Sequence, residues 1–577
     1  MILLLVLITA SALSPVLFAD FIRLDDYSHL FENPQLRRMS ISGLGALWTK
    51  PYFNLYIPIT YSVWWALTMV GSLFGKLGQT AWLFHAFNLA VHLANVTLVF
   101  VIVRMLIRVV AASTAPKSDP LDNSIAVIAA LFFAVHPVQV ESVAWISELK
   151  GELACMFGLL GLWRHYRSTK RLLVAAFFVA AMLSKPSAIV FPAVLFLIDR
   201  IVLRKSLAKS AITLALYGAP LLIFALVTKR LQPDLDQDFV PTAGQRLIVA
   251  ADAVSFYVTK VLVPFPLVVD YGRSPQVVLE HTSRLWLAYS ALLSVAGIGM
   301  VIRAVIRPPS SVEADRWQSL IYCGWGIFVV SIVPVLGLIP FGFQDLSTVA
   351  DHYLYVPLFG VSVMVAGILV RFRASANSRR IAGVPLVVCA ALSFGQARLW
   401  RSTEPLFAHT VKFNPKSYLG SFCVGDELMR AGRLDEAIAW LETALAIKPD
   451  YLNAVLTLGM AFTHNGQPDK AIELYDATLA KNPSVVGTRA KHVASLHNNL
   501  GMLLLQSGRH EAGVEHFREA VEIFPRSLNA HMNLGNVAFT EQRYPDAVTE
   551  YETALSLSPG DRGIAQRLEL ARQRAQQ

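Results

Sequence analysis

Two adjacent carboxylates, Asp25 and Asp26, follow directly on the first long apolar run of this chain. Carboxylates so placed can take a proton from a hydroxyl, hold a cation, or cap the helix that follows. Further along, His136, Glu141, Lys150 and Lys185 sit at or near the ends of apolar runs, and His352, Tyr353 and Tyr355 open another. Ionisable side chains in such places are costly unless paired, which makes each a functional candidate. Structural readings stand beside these: solvated loop acids, a Glu141–Lys150 bridge, a hydrogen-bonded His136, and Tyr353 and Tyr355 as an interfacial belt. No second His or Cys follows His136 at ligand spacing, and Cys155, Cys323, Cys389 and Cys423 are scattered. No zinc site, no metal site built from thiolates and no disulfide framework is therefore expected.

The elements that must position these residues are membrane helices. The chain has 577 residues, 55% of them hydrophobic and only 16% charged, with a mean hydropathy of +0.50; a soluble protein carries about 25% charged residues. Apolar runs at 2–19, 82–103, 124–141, 151–165, 171–184, 186–202, 210–228, 284–303, 318–339, 353–370 and 381–398 give about eleven candidate spans. The first reads as a retained signal-anchor helix. Five basic clusters separate the runs: Arg104/Arg108/Lys117, Arg164/Arg167/Lys170/Arg171, Arg200/Arg204/Lys205/Lys209, Arg303/Arg307/Arg316 and Arg371/Arg373/Arg379/Arg380. Kept in the cytoplasm, they place the first loop and everything after residue 398 outside. Two further apolar stretches do not fit as crossings. Residues 52–75, with Tyr61, Trp64 and Trp65, suit a helix lying at the interface, and 246–269, broken at Pro264 and Pro266, a re-entrant or interfacial segment. Arg23, Arg37, Arg38 and Lys50 must then lie outside, against the charge rule. The formal charge of +10 is explained by these topology signals, and no nucleic-acid partner is expected.

The last third changes in kind. Prolines recur at 415, 449, 483, 525 and 559, and each interval holds a Gly (425, 459, 501, 535), a small residue twelve later (437, 471, 513, 547) and a large one four after that (Leu441, Tyr475, Phe517, Tyr551). This is the tetratricopeptide pattern, in which small residues let paired helices approach and a proline ends the second. The expected domains are thus a membrane bundle over 1–398 and a solenoid over 399–577. Its repeats run about 416–449, 450–483, 484–525 and 526–559, with a capping helix at 560–577 and about eight extra residues near 484–493. The fold class is all-α.

Four segments carry a resemblance: FADFIRLDDYSHLFENP (18–34), LFFAVHPVQVESVAWISELK (131–150), SKPSAIVFP (184–192) and VADHYLYVPLFG (349–360). With repeats after the last run, the chain resembles the membrane-bound tetratricopeptide glycosyltransferases, the transmembrane and tetratricopeptide repeat-containing O-mannosyltransferases and their bacterial relatives. The resemblance implies a C-type glycosyltransferase (GT-C) fold, a polyprenyl-phosphate sugar donor, mannose as the first sugar to consider, and a catalytic carboxylate in the first external loop. Asp25 and Asp26 are the catalytic candidates by that resemblance.

Transfer from a lipid phosphate needs a base for the acceptor hydroxyl and a cation for the leaving phosphate, in contrast to the two carboxylates of glycoside hydrolysis. Neighbouring aspartates on an extended segment cannot both face one way; one serves as base, with Asp25 preferred, and the other positions it, holds a metal or binds sugar hydroxyls. His352, one candidate for the phosphate cation, stands where the family often carries Arg and lacks its bidentate fork. Lys185 is the other phosphate cation, Tyr353 and Tyr355 are possible hydrogen-bonding partners, and Asp270–Arg273 is placed to touch sugar or acceptor. A divalent cation is left open; no nucleotide or redox cofactor is expected. The solenoid's concave face is expected to bind an exported protein or peptide. Localisation is expected in a bacterial inner membrane, with the first loop and repeats periplasmic. A non-catalytic membrane-anchored scaffold is the competing reading, and a transporter a weaker third.

Overall fold

The computed structural model describes all residues except 38–39, 54, 112–119, 169, 231–238, 310–315, 373–375 and 482–488. Among the described residues the chain is helical, with no strand. It divides into two compact units, Met1–Pro415 and Lys416–Gln577. The helix Thr403–Phe413, beyond the expected limit at 398, belongs to the first unit. It is held there because the Asp20 N–H donates to the Arg401 carbonyl (2.8 Å) and the Arg23 N–H to Thr403 Oγ1 (3.1 Å).

All eleven apolar runs become helical wholly or in part, but they do not supply eleven full-length spans. Among the described residues four helices are long and apolar enough to cross a membrane: Ala81–Val110, Leu207–Leu226, Arg284–Ile306 and Trp317–Val335. A fifth is added if Gly383–Leu399 and Thr403–Phe413, bent by 115°, count as one. Prolines are the reason for the shortfall. Pro137 and Pro186 lack the N–H that continues a helix and disfavour the α region for the residue before them, while Pro357 stands in the first turn of Pro357–Arg371, where a missing N–H costs nothing. Arg171–Ser184 therefore stops at 14 residues, roughly 21 Å against a hydrocarbon core of about 30 Å. The same breaks place the polar His136 and Lys185 at helix ends, where His136 is buried and Lys185 is extended. Outward-facing apolar side chains such as Leu285, Leu292, Val295 and Ile212 are unburied along two of the long helices, as a lipid surround requires.

The first unit has two chemically distinct ends. At one, Arg200 donates to the carbonyls of Val305 (2.7 Å) and Ile306 (3.0 Å), and Arg204 to that of Pro309 (2.6 Å). Lys205 pairs with Asp199 (2.9 Å), which accepts from the Tyr166 hydroxyl (3.1 Å), and Arg371 stacks over Trp317 at 5.6 Å. Four of the five basic clusters thus meet. Lys117 and Arg373 lie outside the described residues. Helices running away from this end bring the first loop and the segments 136–150, 184–186, 263–273 and 341–355 together at the other.

Two helices return to the end they left. Pro58–Gly71 is tied through Thr60 Oγ1 to the Ser184 carbonyl (3.0 Å) and through the Tyr61 hydroxyl to His29 Nδ1 (2.9 Å). Trp64 is 0% and Tyr61 2% exposed, so these aromatics are core beneath the first loop and not the interfacial anchors expected. Ala243–Leu262 is held at one tip by Arg246 to the Leu338 carbonyl (3.4 Å) and at the other by His136 Nε2 to the Val261 carbonyl (3.1 Å). Both tips sit at the non-basic end, as an interfacial segment must.

In the second unit, helix pairs Tyr418–Arg430/Leu434–Ile447, Leu452–His464/Pro468–Lys481, Arg489–Gln506/His510–Ile523 and Leu528–Thr540/Tyr544–Leu557 stack, closed by Arg562–Ala575. The glycine in each first helix receives the large residue of the second: a Cβ at Gly459 would lie 2.2 Å from the Tyr475 ring. The third repeat's first helix begins twelve residues before its glycine, against seven in the others, so part of the insertion lengthens that helix. The remainder falls on 482–488, outside the described residues.

Candidate active site

The first loop is helical where extended chain was expected: Asp26 has φ −59° and ψ −41°. Successive helical residues point about 100° apart, so the pair still diverges, and the two aspartates have different surroundings. Asp26 is buried; its Oδ2 accepts from the Ile22 N–H (3.0 Å) and its Oδ1 from the N–H (2.9 Å) and hydroxyl (2.5 Å) of Ser147. With both oxygens bonded to protein donors it anchors the loop and offers no ligand position. Asp25 keeps 34% of its side chain open and lies 4.0 Å from Lys150 Nζ. Burial of the rest raises its pKa, against the pull of Lys150 and with a further push from Glu148. Burial likewise lifts Asp26, to about 7, despite the hydrogen bonds from Ser147 and Ile22.

Facing Asp25 is a knot of charge built on the turn that joins Gln139–Ala144 to Leu149–Arg167. Glu148 sits between Lys185 (2.8 Å) and Lys150 (3.2 Å), with His352 Nε2 at 3.9 Å. Burial alone would raise Glu148; Lys150, Lys185 and His352 instead hold it well below the ordinary carboxylate range. Gly151 makes room, since a Cβ there would stand 3.0 Å from Glu148 Oε2.

His352 donates to or accepts from Glu141 through Nδ1 in a short contact. Burial lowers its pKa to about 3, opposed by Glu148 and assisted by Lys185 and Lys150. An imidazole so placed is neutral near pH 7, so Lys150 and Lys185 carry the positive charge that was assigned to His352. Glu141 pairs with His352 and not with Lys150, which corrects the expected bridge. Tyr353 joins the site, with Lys185 Nζ 5.9 Å from its ring and the His352 ring at 4.2 Å.

Two candidates are not brought in. The Tyr355 hydroxyl points into the bundle, bonded to His92 Nδ1 (2.8 Å) and Asn95 Nδ2 (3.0 Å). His92 Nε2 lies 3.0 Å from the Ala134 carbonyl; it must donate there, which leaves Nδ1 to accept from Tyr355. His136 is spent on the Val261 carbonyl.

Several residues were not anticipated. Glu148 lies within the segment that carries the resemblance, but nothing in the sequence marks it as the residue that Lys150 and Lys185 share. Asp351, next to His352, accepts from the Tyr271 hydroxyl (2.8 Å), and Lys260 lies 5.0 Å from the Tyr271 ring. Burial raises Asp351 to about 7, with Tyr271 and Lys260 pulling down. The Asp270–Arg273 stretch thus reaches the site through Tyr271, while Arg273 is held by Asp252, which also accepts from Trp286 Nε1 (2.8 Å). What the arrangement offers is one accessible carboxylate opposite two lysines, walled by aromatics and fixed from behind by Asp26.

Two family models, both described as tetratricopeptide repeat, match residues 428–492 and 498–562. The chain is 26% identical over 235 residues to the protein O-mannosyl-transferase Tmtc3 of Drosophila melanogaster, covering 38% of this chain and 25% of that protein. It is 21% identical over 243 residues to human protein O-mannosyl-transferase TMTC3, covering 40% and 26%. The chain therefore matches about a quarter of the length of these relatives. Among solved structures, the MamA protein is 21% identical with a TM-score of 0.24, over 28% of this chain and 84% of that one. YrrB, a tetratricopeptide protein with an unusual peptide-binding site, is 15% identical with a TM-score of 0.24, over 30% and 84%.

Proposed function

We propose that this TMTC-like tetratricopeptide-repeat protein is a membrane glycosyltransferase that moves one sugar from a polyprenyl-phosphate carrier onto a protein or glycan. Mannose is the sugar that the relatives' names indicate. The observation that carries the reading is the open carboxylate of Asp25, 4.0 Å from Lys150, beside the half-buried pair Lys150 and Lys185 that shares Glu148. In the reaction, the acceptor hydroxyl attacks the anomeric carbon and gives its proton to Asp25. The bond from that carbon to the phosphate oxygen breaks, and the polyprenyl phosphate leaves with the electron pair, its charge met by Lys150 and Lys185. A carboxylate beside the anomeric centre also favours the oxocarbenium-like transition state. Tyr353 walls the pocket, and Asp26 positions Asp25 without touching substrate.

The apolar helices suit delivery of a lipid-borne donor, and the basic clusters at the far end support a site on the non-cytoplasmic face, in this reading that of a bacterial inner membrane. The repeats bind an exported protein or peptide, the common use of such solenoids. In detergent, with a synthetic polyprenyl-phosphate mannose, Asp25→Asn should cut transfer about 10²- to 10⁴-fold while donor binding persists. Lys185→Ala should instead weaken donor binding. Hexose-sized increments on envelope proteins that persist at the wild-type level in cells carrying Asp25→Asn are not expected. Such a result would leave the chain a membrane-anchored scaffold.

A further inference from the structure

The third repeat holds a side-chain cluster that the transferase reading does not use. His497 lies on Arg489–Gln506, and His516 and Glu519 share a face of His510–Ile523. Their ligand atoms converge: His497 Nδ1 is 2.9 Å from His516 Nδ1 and 2.7 Å from Glu519 Oε2, and His516 Nδ1 is 2.9 Å from the same oxygen. We propose that His497, His516 and Glu519 form a binding site for one divalent first-row transition-metal ion, with zinc as the reference ion.

The geometry supplies the argument. Ligands at about 2.05 Å from a metal are about 2.9 Å apart on the face of an octahedron and about 3.3 Å apart in a tetrahedron. The observed edges match the octahedral face, the arrangement of two histidines and one carboxylate that leaves positions open. Two imidazole Nδ1 atoms at 2.9 Å cannot both carry hydrogen, and one proton cannot lie along all three edges. A cation above the triangle satisfies all three atoms at once. Two nitrogens in the set argue against calcium or magnesium, which take oxygen. The site is reachable: the three side chains are 13%, 23% and 42% exposed.

The other repeats show what an ordinary pairing looks like at these positions. In the fourth, His531 and Glu550 occupy the places of His497 and His516, but His531 uses Nδ1 on Glu550 (2.6 Å) and Nε2 on the Pro525 carbonyl (3.1 Å). In the first and second the places are Ser421 with Trp440 and Val455 with Leu474, which offer no comparable set. The spacing of 19 residues between the histidines spans a helical hairpin, which is why ligand spacings read along a sequence pass over it.

The test uses the full chain, purified in detergent, stripped with chelator and titrated with Co²⁺ and then with Zn²⁺ in competition. One saturable equivalent is expected, with affinity at least tenfold weaker in His516→Ala and in His497→Ala and unchanged in His531→Ala. Zinc should also raise the midpoint of thermal helix loss in the wild type and not in His516→Ala. Glu519→Gln, a change at the most exposed member, covers the case in which a histidine variant fails to fold, and should weaken binding at least fivefold. The proposal is overturned if the wild type takes up no saturable equivalent, if His516→Ala and Glu519→Gln bind as tightly as wild type, or if His531→Ala costs as much as His516→Ala. None of these readouts depends on sugar transfer.

Discussion

Asp25 and Asp26 are neighbours put to opposite uses, and the difference is testable. Because burial raises Asp25, the acid limb of the transfer rate should fall at a pH clearly above the ordinary aspartate value of about 3.9. A limb at the ordinary value would remove Asp25 from the role of base. Asp26→Ala strips the donors Ile22 N–H, Ser147 N–H and Ser147 Oγ of their acceptor, at about 1–3 kcal/mol for each group left buried. Proteolysis within residues 20–33 should quicken and transfer should drop. Asp26 also has a pH signature. Its folded value of about 7 lies above that of the unfolded chain, so its contribution is fullest below about pH 4 and lost as pH rises through 7. The thermal midpoint of the wild type should therefore fall relative to Asp26→Asn between pH 5 and 8. At this scale the acidic pair and the lysines were legible, because charge beside an apolar run is conspicuous. The direction of a side chain was not: Tyr353 and Tyr355 look alike in sequence, yet Tyr355 turns inward to His92 and Asn95.

Among elements, the repeats were legible almost residue by residue, since their packing depends on a fixed alternation of small and large side chains. Gly459→Ala, which drives a Cβ to 2.2 Å from the Tyr475 ring, should destabilise the second unit by about 1–3 kcal/mol, seen as a lower melting midpoint of its helical signal. The membrane helices were legible as apolar runs but not as crossings. Run length does not reveal where Pro137 or Pro186 interrupts a helix, nor that Trp64 is buried within the protein.

For the whole molecule, the convergence of Arg200, Arg204, Lys205 and Arg371 at one end makes sidedness measurable. The four native cysteines are buried, while Ser40 and Ser206 are exposed at opposite ends. Ser40→Cys should react with a membrane-impermeant maleimide from outside the inner membrane, and Ser206→Cys only after permeabilisation. Labelling of both from one side would refute the assigned orientation. The stitches between Asp20 and Arg401 and between Arg23 and Thr403 bear on more than the position of a boundary. Were the solenoid to hold a chain under tension, the pull would run along the backbone through Pro415 into the helix before it. That helix is stitched to the first loop by two bonds lying five and two residues upstream of Asp25, where the strain would first be met.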